Sequence, residues 1–150
     1  MLRKSLSALV AIMVLLAATI TPGTSFADSG ITVIEPEGTR GYDFNCDIPG
    51  RGSARCPNNN AVVFTMTAWK TAAVKLEAGT CATFTLRLQG NGSQVGTPRE
   101  ICPGEERGLW QNNTGGTATV YFEADANPLS PVTLGGCFKF YGFDSSSGCD

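Results

Sequence analysis

Six cysteines and no histidine stand among the 150 residues, and that pairing limits the chemistry open to the chain. Without His, a Ser-His-Asp or Cys-His catalytic arrangement is closed, and so is a histidine-bearing zinc site. General acid-base work would fall to carboxylates: Glu35, Glu37, Glu100, the adjacent Glu105 and Glu106, and Asp125. Glycoside hydrolysis needs two such groups facing each other across a cleft. Adjacent glutamates on a strand point to opposite faces, and on a turn they are solvated. A chain of this size rarely builds a long cleft. The expectation is a protein that is not an enzyme, with no catalytic residue, no metal and no cofactor.

The cysteines at 46, 56, 81, 102, 137 and 149 are read as three disulfides. An even number in an exported chain implies a disulfide framework. A zinc cluster or a redox pair would want Cys-x2-Cys, and no spacing here is that short. One bridge follows from geometry. Asn91-Gly92 is a strong two-residue hairpin signal, because a type I′ turn needs positive φ at both central positions. Folding the chain there pairs residues whose numbers add to 183, which sets Cys81 opposite Cys102 as a non-hydrogen-bonded pair. Phe84, Leu86 and Leu88 then face away from the disulfide, unless a bulge near Cys81 or Gly96 resets the phase. The simplest full scheme is sequential: Cys46-Cys56, Cys81-Cys102 and Cys137-Cys149.

If catalysis is closed, loops and aromatics remain. Arg51 and Arg55 lie in a Gly- and Pro-rich stretch between Cys46 and Cys56. A disulfide-pinned loop bearing an Arg presents a contact residue at low entropic cost; the plainer reading is a stapled surface loop with solvated arginines. Trp69-Lys70 closes one strand-like segment, and Trp110 precedes an Asn/Thr/Gly turn. Aromatics at strand ends form hot spots for a protein or platforms for a sugar ring. A small sandwich also buries Trp in its core, so one of the two is expected to be structural. The candidate binding residues are Trp69, Lys70, Arg51, Arg55 and Trp110.

The elements that must position them are strands. Ile31 to Glu35, Ala61 to Trp69, Ala73 to Glu77, Thr83 to Leu88, Thr117 to Glu123 and Cys137 to Phe143 are β-branched, aromatic or alternating. Turn signals recur between them, the cadence of an antiparallel sandwich. No segment after residue 27 holds a helical period over ten residues. The fold class predicted is all-β: a small disulfide-stapled antiparallel β-sandwich of roughly seven to nine strands. The Asn91 and Asn112 stretches match the N-x-[ST] glycosylation pattern, and both read more simply as turns.

Residues 1–27 read as an address. Arg3 and Lys4 precede an apolar run from Leu6 to Ile20, then Pro22-Gly23, then Ser25-Phe26-Ala27 with small residues where a signal peptidase reads. The apolar run is too short for a spanning helix. Cleavage after Ala27 leaves a single secreted domain, 28–150, with nine basic residues against 13 acidic and a net charge of −4. That charge gives no steering field for nucleic acid. The domain is expected to be extracellular, off the membrane and monomeric, in the style of a bacterial exoprotein.

Trp69-Lys70, then Cys81-Ala82-Thr83-Phe84-Thr85-Leu86, then Cys102-Pro103-Gly104-Glu105 resemble the tendamistat-like family of secreted β-sandwich α-amylase inhibitors. The likeness spans Trp69 to Glu105 together with Cys149, under a third of the chain. The family blocks its enzyme with a Trp-Arg-Tyr turn; here the turn reads Trp69-Lys70-Thr71, so the Arg and Tyr are missing. The resemblance implies a sandwich and inhibition. It also implies another disulfide scheme, Cys56-Cys81 and Cys102-Cys149, with Cys46 and Cys137 left over.

The function expected is non-catalytic binding, most concretely inhibition of an extracellular hydrolase such as an amylase or protease. The alternatives are a carbohydrate- or cell-wall-binding module and a small secreted toxin or antimicrobial. The partners are accordingly a secreted hydrolase or a polysaccharide.

Overall fold

The computed structural model describes residues 32–34, 41–142 and 149. Residues 1–27, predicted as an export signal, and Glu35, Glu37 and Phe143 lie outside them. Nine strands join through antiparallel ladders: β2 (Tyr42–Ile48), β3 (Ser53–Cys56), β4 (Val62–Met66), β5 (Thr71–Ala78), β6 (Ala82–Leu88), β7 (Gln94–Ile101), β8 (Glu106–Gln111), β9 (Ala118–Asp125) and β10 (Val132–Tyr141). The three-residue β1 (Thr32–Ile34) adds in parallel beside β4. One sheet runs β1-β4-β9-β6-β7 and the other β2-β10-β5-β8. The predicted antiparallel sandwich is the fold.

Alternation builds each layer, since successive side chains on a strand point to opposite faces. Phe44, Cys46 and Ile48 of β2 are buried while Asp43, Asn45 and Asp47 are exposed. The inward positions of β4 (Val62, Phe64, Met66), β6 (Ala82, Phe84, Leu86) and β9 (Val120, Phe122, Ala124) meet those of β5 (Ala72, Val74, Leu76) and β10 (Leu134, Phe138, Phe140). Phenylalanines from the two sheets interlock at the centre. Phe122 stacks on Phe138 at 3.9 Å between ring centroids, and Phe64 meets both edge-on at 5.5 and 5.6 Å. Such pairs add about 0.5–1.5 kcal/mol each beyond the area they bury.

The disulfides are sequential: Cys46–Cys56, Cys81–Cys102 and Cys137–Cys149. The pairing implied by the amylase-inhibitor resemblance is therefore not the one formed. Cys46–Cys56 ties β2 of one sheet to β3 of the other and is fully buried. Cys81–Cys102 lies on the outer face, opposite Phe84 and Leu86, as the Asn91-Gly92 folding required. Cys137–Cys149 closes over Gly41, where a Cβ would lie 2.3 Å from the Cys137 sulfur.

Two expectations about β6, β7 and the first tryptophan are corrected. The connection between β6 and β7 is not a two-residue turn. Leu88 and Ser93 close it, with the Leu88 amide donating to the Ser93 carbonyl at 2.8 Å, so four residues form the loop. Near the disulfide the pairing follows the predicted register, Ala82 with Ile101. Toward the turn it shifts by two, Leu86 with Val95, leaving Gly96, Thr97 and Pro98 opposite Thr85 alone. Gly96 (φ +69°) is the pivot: a Cβ there would lie 2.1 Å from the Leu109 carbonyl oxygen, so the bulge lets β7 press against β8 of the other sheet. The strand expected to run to Trp69 stops at Met66.

Candidate functional site

The strand β9 sets the scale of the molecule. Met66 of β4 pairs with Ala118 at one end of it, and Ser53 of β3 pairs with Asp125 at the other. Seven residues separate those positions, about 24 Å at ~3.4 Å per residue. Trp69 follows β4 at the first end, while Arg51 precedes β3 at the second. The structure thus divides the five sequence-derived candidates between two poles and the middle.

At the first pole, Trp69 occupies the β4–β5 turn with half its surface exposed and φ +69°. Positive φ in a bulky aromatic is an outlier. A polar network holds it. The Trp69 amide donates to the Asn112 carbonyl at 2.7 Å, and the Asn112 amide donates to the Lys70 carbonyl at 2.9 Å. Asn112 is itself fully buried, its Nδ2 donating to the carbonyls of Met66 (2.9 Å) and Gly116 (2.8 Å). Its Oδ1 accepts from the Thr114 amide and hydroxyl at 3.2 and 2.7 Å. One residue holds both loops at this pole, its backbone bonding the β4–β5 turn and its side chain the β8–β9 loop and the end of β4. Burial also excludes Asn112 as a glycan acceptor, so its turn reading holds.

Trp110 sits on β8 beside this pole, half-buried against the core and opposite Ala72. It is the more structural of the two tryptophans. Between the β6–β7 turn and the β8–β9 loop lies an open groove of about 430 Å³ lined by Leu88, Gly90, Asn91, Thr114, Thr117, Ala118 and Thr119. Its lining combines the apolar Leu88 and Ala118 with the hydroxyls of Thr114, Thr117 and Thr119 and the amide of Asn91.

Arg55 belongs to neither pole. Its guanidinium donates to the Val62 carbonyl at 2.7 Å and to Gln89 Oε1 at 3.1 Å, and it lies 4.1 Å from the centre of the Tyr121 ring. Burial lowers its pKa, against the raising effect of Tyr121. Those bonds join β3, β4 and the β6–β7 turn across one sheet, so its side chain is committed to the fold.

At the second pole Arg51 is exposed, with φ +59°. Its amide donates to the Pro128 carbonyl at 2.8 Å, which docks the β2–β3 turn on the β9–β10 loop. Beside it stands Leu129, 86 % exposed. Sequence reasoning missed Leu129. The signal was a lone large apolar residue in the polar, Pro-bearing run Asn127 to Pro131.

Among the described residues, the carboxylates with interactions are engaged by cations, a hydroxyl or amides. Glu106 accepts from Lys139 Nζ at 2.8 Å and from the Tyr141 hydroxyl. Burial pushes Glu106 upward, and the two hydrogen bonds with the Lys139 and Lys75 charges outweigh it, leaving its pKa below the usual value. Burial, the bond to Glu106 and its charge push Tyr141 up to about 12. Glu105 pairs with Arg107 at 3.0 Å, and Glu123 with Arg87 at 2.9 Å. Asp125 accepts from the Asn127 amide at 2.8 Å. Asp43 approaches Cys137 and Cys149, but those sulfurs are bonded to each other and offer no thiolate to a metal.

No protein-family model matches the chain, and no curated protein matches it. Among solved structures it is similar to PliG of Aeromonas hydrophila, a periplasmic lysozyme inhibitor of g-type lysozyme, at 12 % identity and a TM-score of 0.45, over 74 % of this chain and 97 % of that one.

Proposed function

We propose that the protein is an exported, non-catalytic binding protein that inhibits an extracellular hydrolase through the Trp69 pole. The observation that carries this reading is the state of Trp69: a large aromatic half in water, held at positive φ by bonds to a locked loop. Left-handed backbone in a non-glycine residue costs on the order of 1–2 kcal/mol, and such strain concentrates where function requires it. A rigid Trp tip also loses little entropy on docking. Three disulfides in so short a chain support export to an oxidising compartment. Lys70 shares the turn and would stand at the rim of the contact.

The test is titration of the purified protein into activity assays of α-amylase, lysozyme, trypsin and subtilisin. Stoichiometric loss of one activity is expected. Trp69→Ala should weaken that inhibition at least about 30-fold, the ~2 kcal/mol of a hot-spot aromatic. No inhibition across the panel would count against the reading. A second reading, carbohydrate binding, is favoured by the groove lined by Thr114, Thr117 and Thr119 and by the partly exposed Trp110. Retention on insoluble polysaccharide, lost in Trp110→Ala and not in Trp69→Ala, would select it.

A further inference from the structure

The two large hydrophobic side chains exposed among the described residues stand at opposite poles, Trp69 at one and Leu129 at the other. The second pole repeats the physical features of the first with different residues. Arg51 is a non-glycine at positive φ, although it lies between Gly50 and Gly52, either of which would take that backbone without strain. The side chain is retained where glycine would be easier. Its turn is fixed from three sides. The buried Cys46–Cys56 disulfide closes its base, Asn58 exchanges two hydrogen bonds with the backbone of Asp47, and the Arg51 amide clips to Pro128. The loops also touch closely: a Cβ on Gly50 would lie 3.1 Å from the Leu129 carbonyl. In the two loops that meet at this pole, Pro49, Leu129 and Pro131 are exposed and apolar, and two of the three are rigid rings. The four ion pairs among the described residues do not use Arg51.

We infer that this pole is a second docking surface, whose partner is a protein presenting a carboxylate at the mouth of an apolar pocket. A guanidinium recognises a carboxylate with two parallel, charge-assisted hydrogen bonds. The prolines would enter the apolar part with almost no rotamer entropy to lose and Leu129 with little, and an Arg accompanied by apolar groups is the make-up of an interface hot spot. A polyanion such as nucleic acid is disfavoured, because the chain is acidic overall and one cation releases few counterions. A protease cleft holding an extended substrate is disfavoured too, since φ +59° is not extended. With the two poles about 24 Å apart along β9, the molecule can hold both partners at once.

The probe is a phage-displayed library of random 12-residue peptides panned on the immobilised, purified protein. Expected is an enriched set bearing Asp or Glu beside apolar residues. Synthetic copies should bind Arg51→Glu and Leu129→Ser at least tenfold more weakly and Trp69→Ala as well as the original. Arg51→Gly should lose the peptides to the same degree while melting a few degrees higher, because the strain leaves with the side chain. An enriched set without acids, peptides that depend on Trp69, no enrichment, or a lower melting temperature for Arg51→Gly would each overturn the inference. The hydrolase assays read the other pole, so either proposal can fail without the other.

Discussion

The two poles of the sandwich hold a protruding side chain in place by different means. At the Trp69 pole the anchor is polar and reversible: one buried Asn supplies the hydrogen bonds that join the β4–β5 turn to the β8–β9 loop. At the Arg51 pole the anchor is covalent, a disulfide whose sulfurs are wholly inside the core, with proline-bearing loops above it. Both end with a non-glycine residue at positive φ. A hydrogen-bonded anchor transmits solution conditions to the residue it holds, whereas a disulfide transmits only the redox state.

The largest effect tests the covalent anchor. Loop closure alone gives about 3 kcal/mol for either Cys46–Cys56 or Cys81–Cys102, slightly more for the second because its loop is longer. Burial reverses that order, since Cys46 and Cys56 are 0 and 1 % exposed while Cys81 and Cys102 are partly exposed. Replacing Cys46 and Cys56 together by Ala should cost about 4 kcal/mol in urea unfolding, against about 3 for Cys81 and Cys102. Equal losses would show that core burial of the bridge adds nothing.

Next in size is Asn112→Ala. It orphans the carbonyls of Met66 and Gly116 and releases Thr114, while the backbone bonds of residue 112 to Trp69 and Lys70 remain, for a loss of about 3 kcal/mol. Amide hydrogen exchange should accelerate through 67–71 and stay unchanged through 49–52. Acceleration at both poles would erase the contrast between them.

The smallest effect lies between the poles, on the outer face of the sheet carrying β5, β8 and β10. Tyr141 has a folded pKa of about 12, above its usual 10.0. The folded state therefore keeps a proton that the unfolded state loses, so this stabilisation is full below pH ~10 and disappears as pH rises toward 12. Glu106 has the opposite sign: its lowered pKa makes stability fall as pH drops through the acidic range. In Tyr141→Phe the alkaline loss of stability should be shallower, by less than about 1 kcal/mol, because the group is largely wetted. Thermal melts from pH 8 to 12 check this.

Much of this architecture was legible before any coordinates. Alternation in β4, β6 and β9 gave the inward faces; Cys81 does stand opposite Cys102, but because the two-residue bulge at Gly96 offsets a loop two residues longer than the Asn91-Gly92 turn predicted. The same rule would have found β2, where Phe44, Cys46 and Ile48 alternate with Asp43, Asn45 and Asp47. β8 was harder: its register shifts beside Ala72, so no period of two survives in Glu106–Gln111. The site was less legible, for a different reason. Which pole a residue occupies depends on strand direction across two sheets, and neighbours in sequence such as Arg51 and Arg55 part company. One reaches solvent at a tip, while the other turns inward to Val62, Gln89 and Tyr121.

The interruption in β7 has a consequence for life in a crowded medium. An edge strand with a continuous run of free amides and carbonyls invites a strand from another molecule to add to it. Along β7 the invitation is broken: Gly96 bends the chain toward β8, Pro98 has no amide hydrogen to offer, and Arg99 and Glu100 follow as charges. The bulge that displaces the register near the turn also removes a landing strip for aggregation.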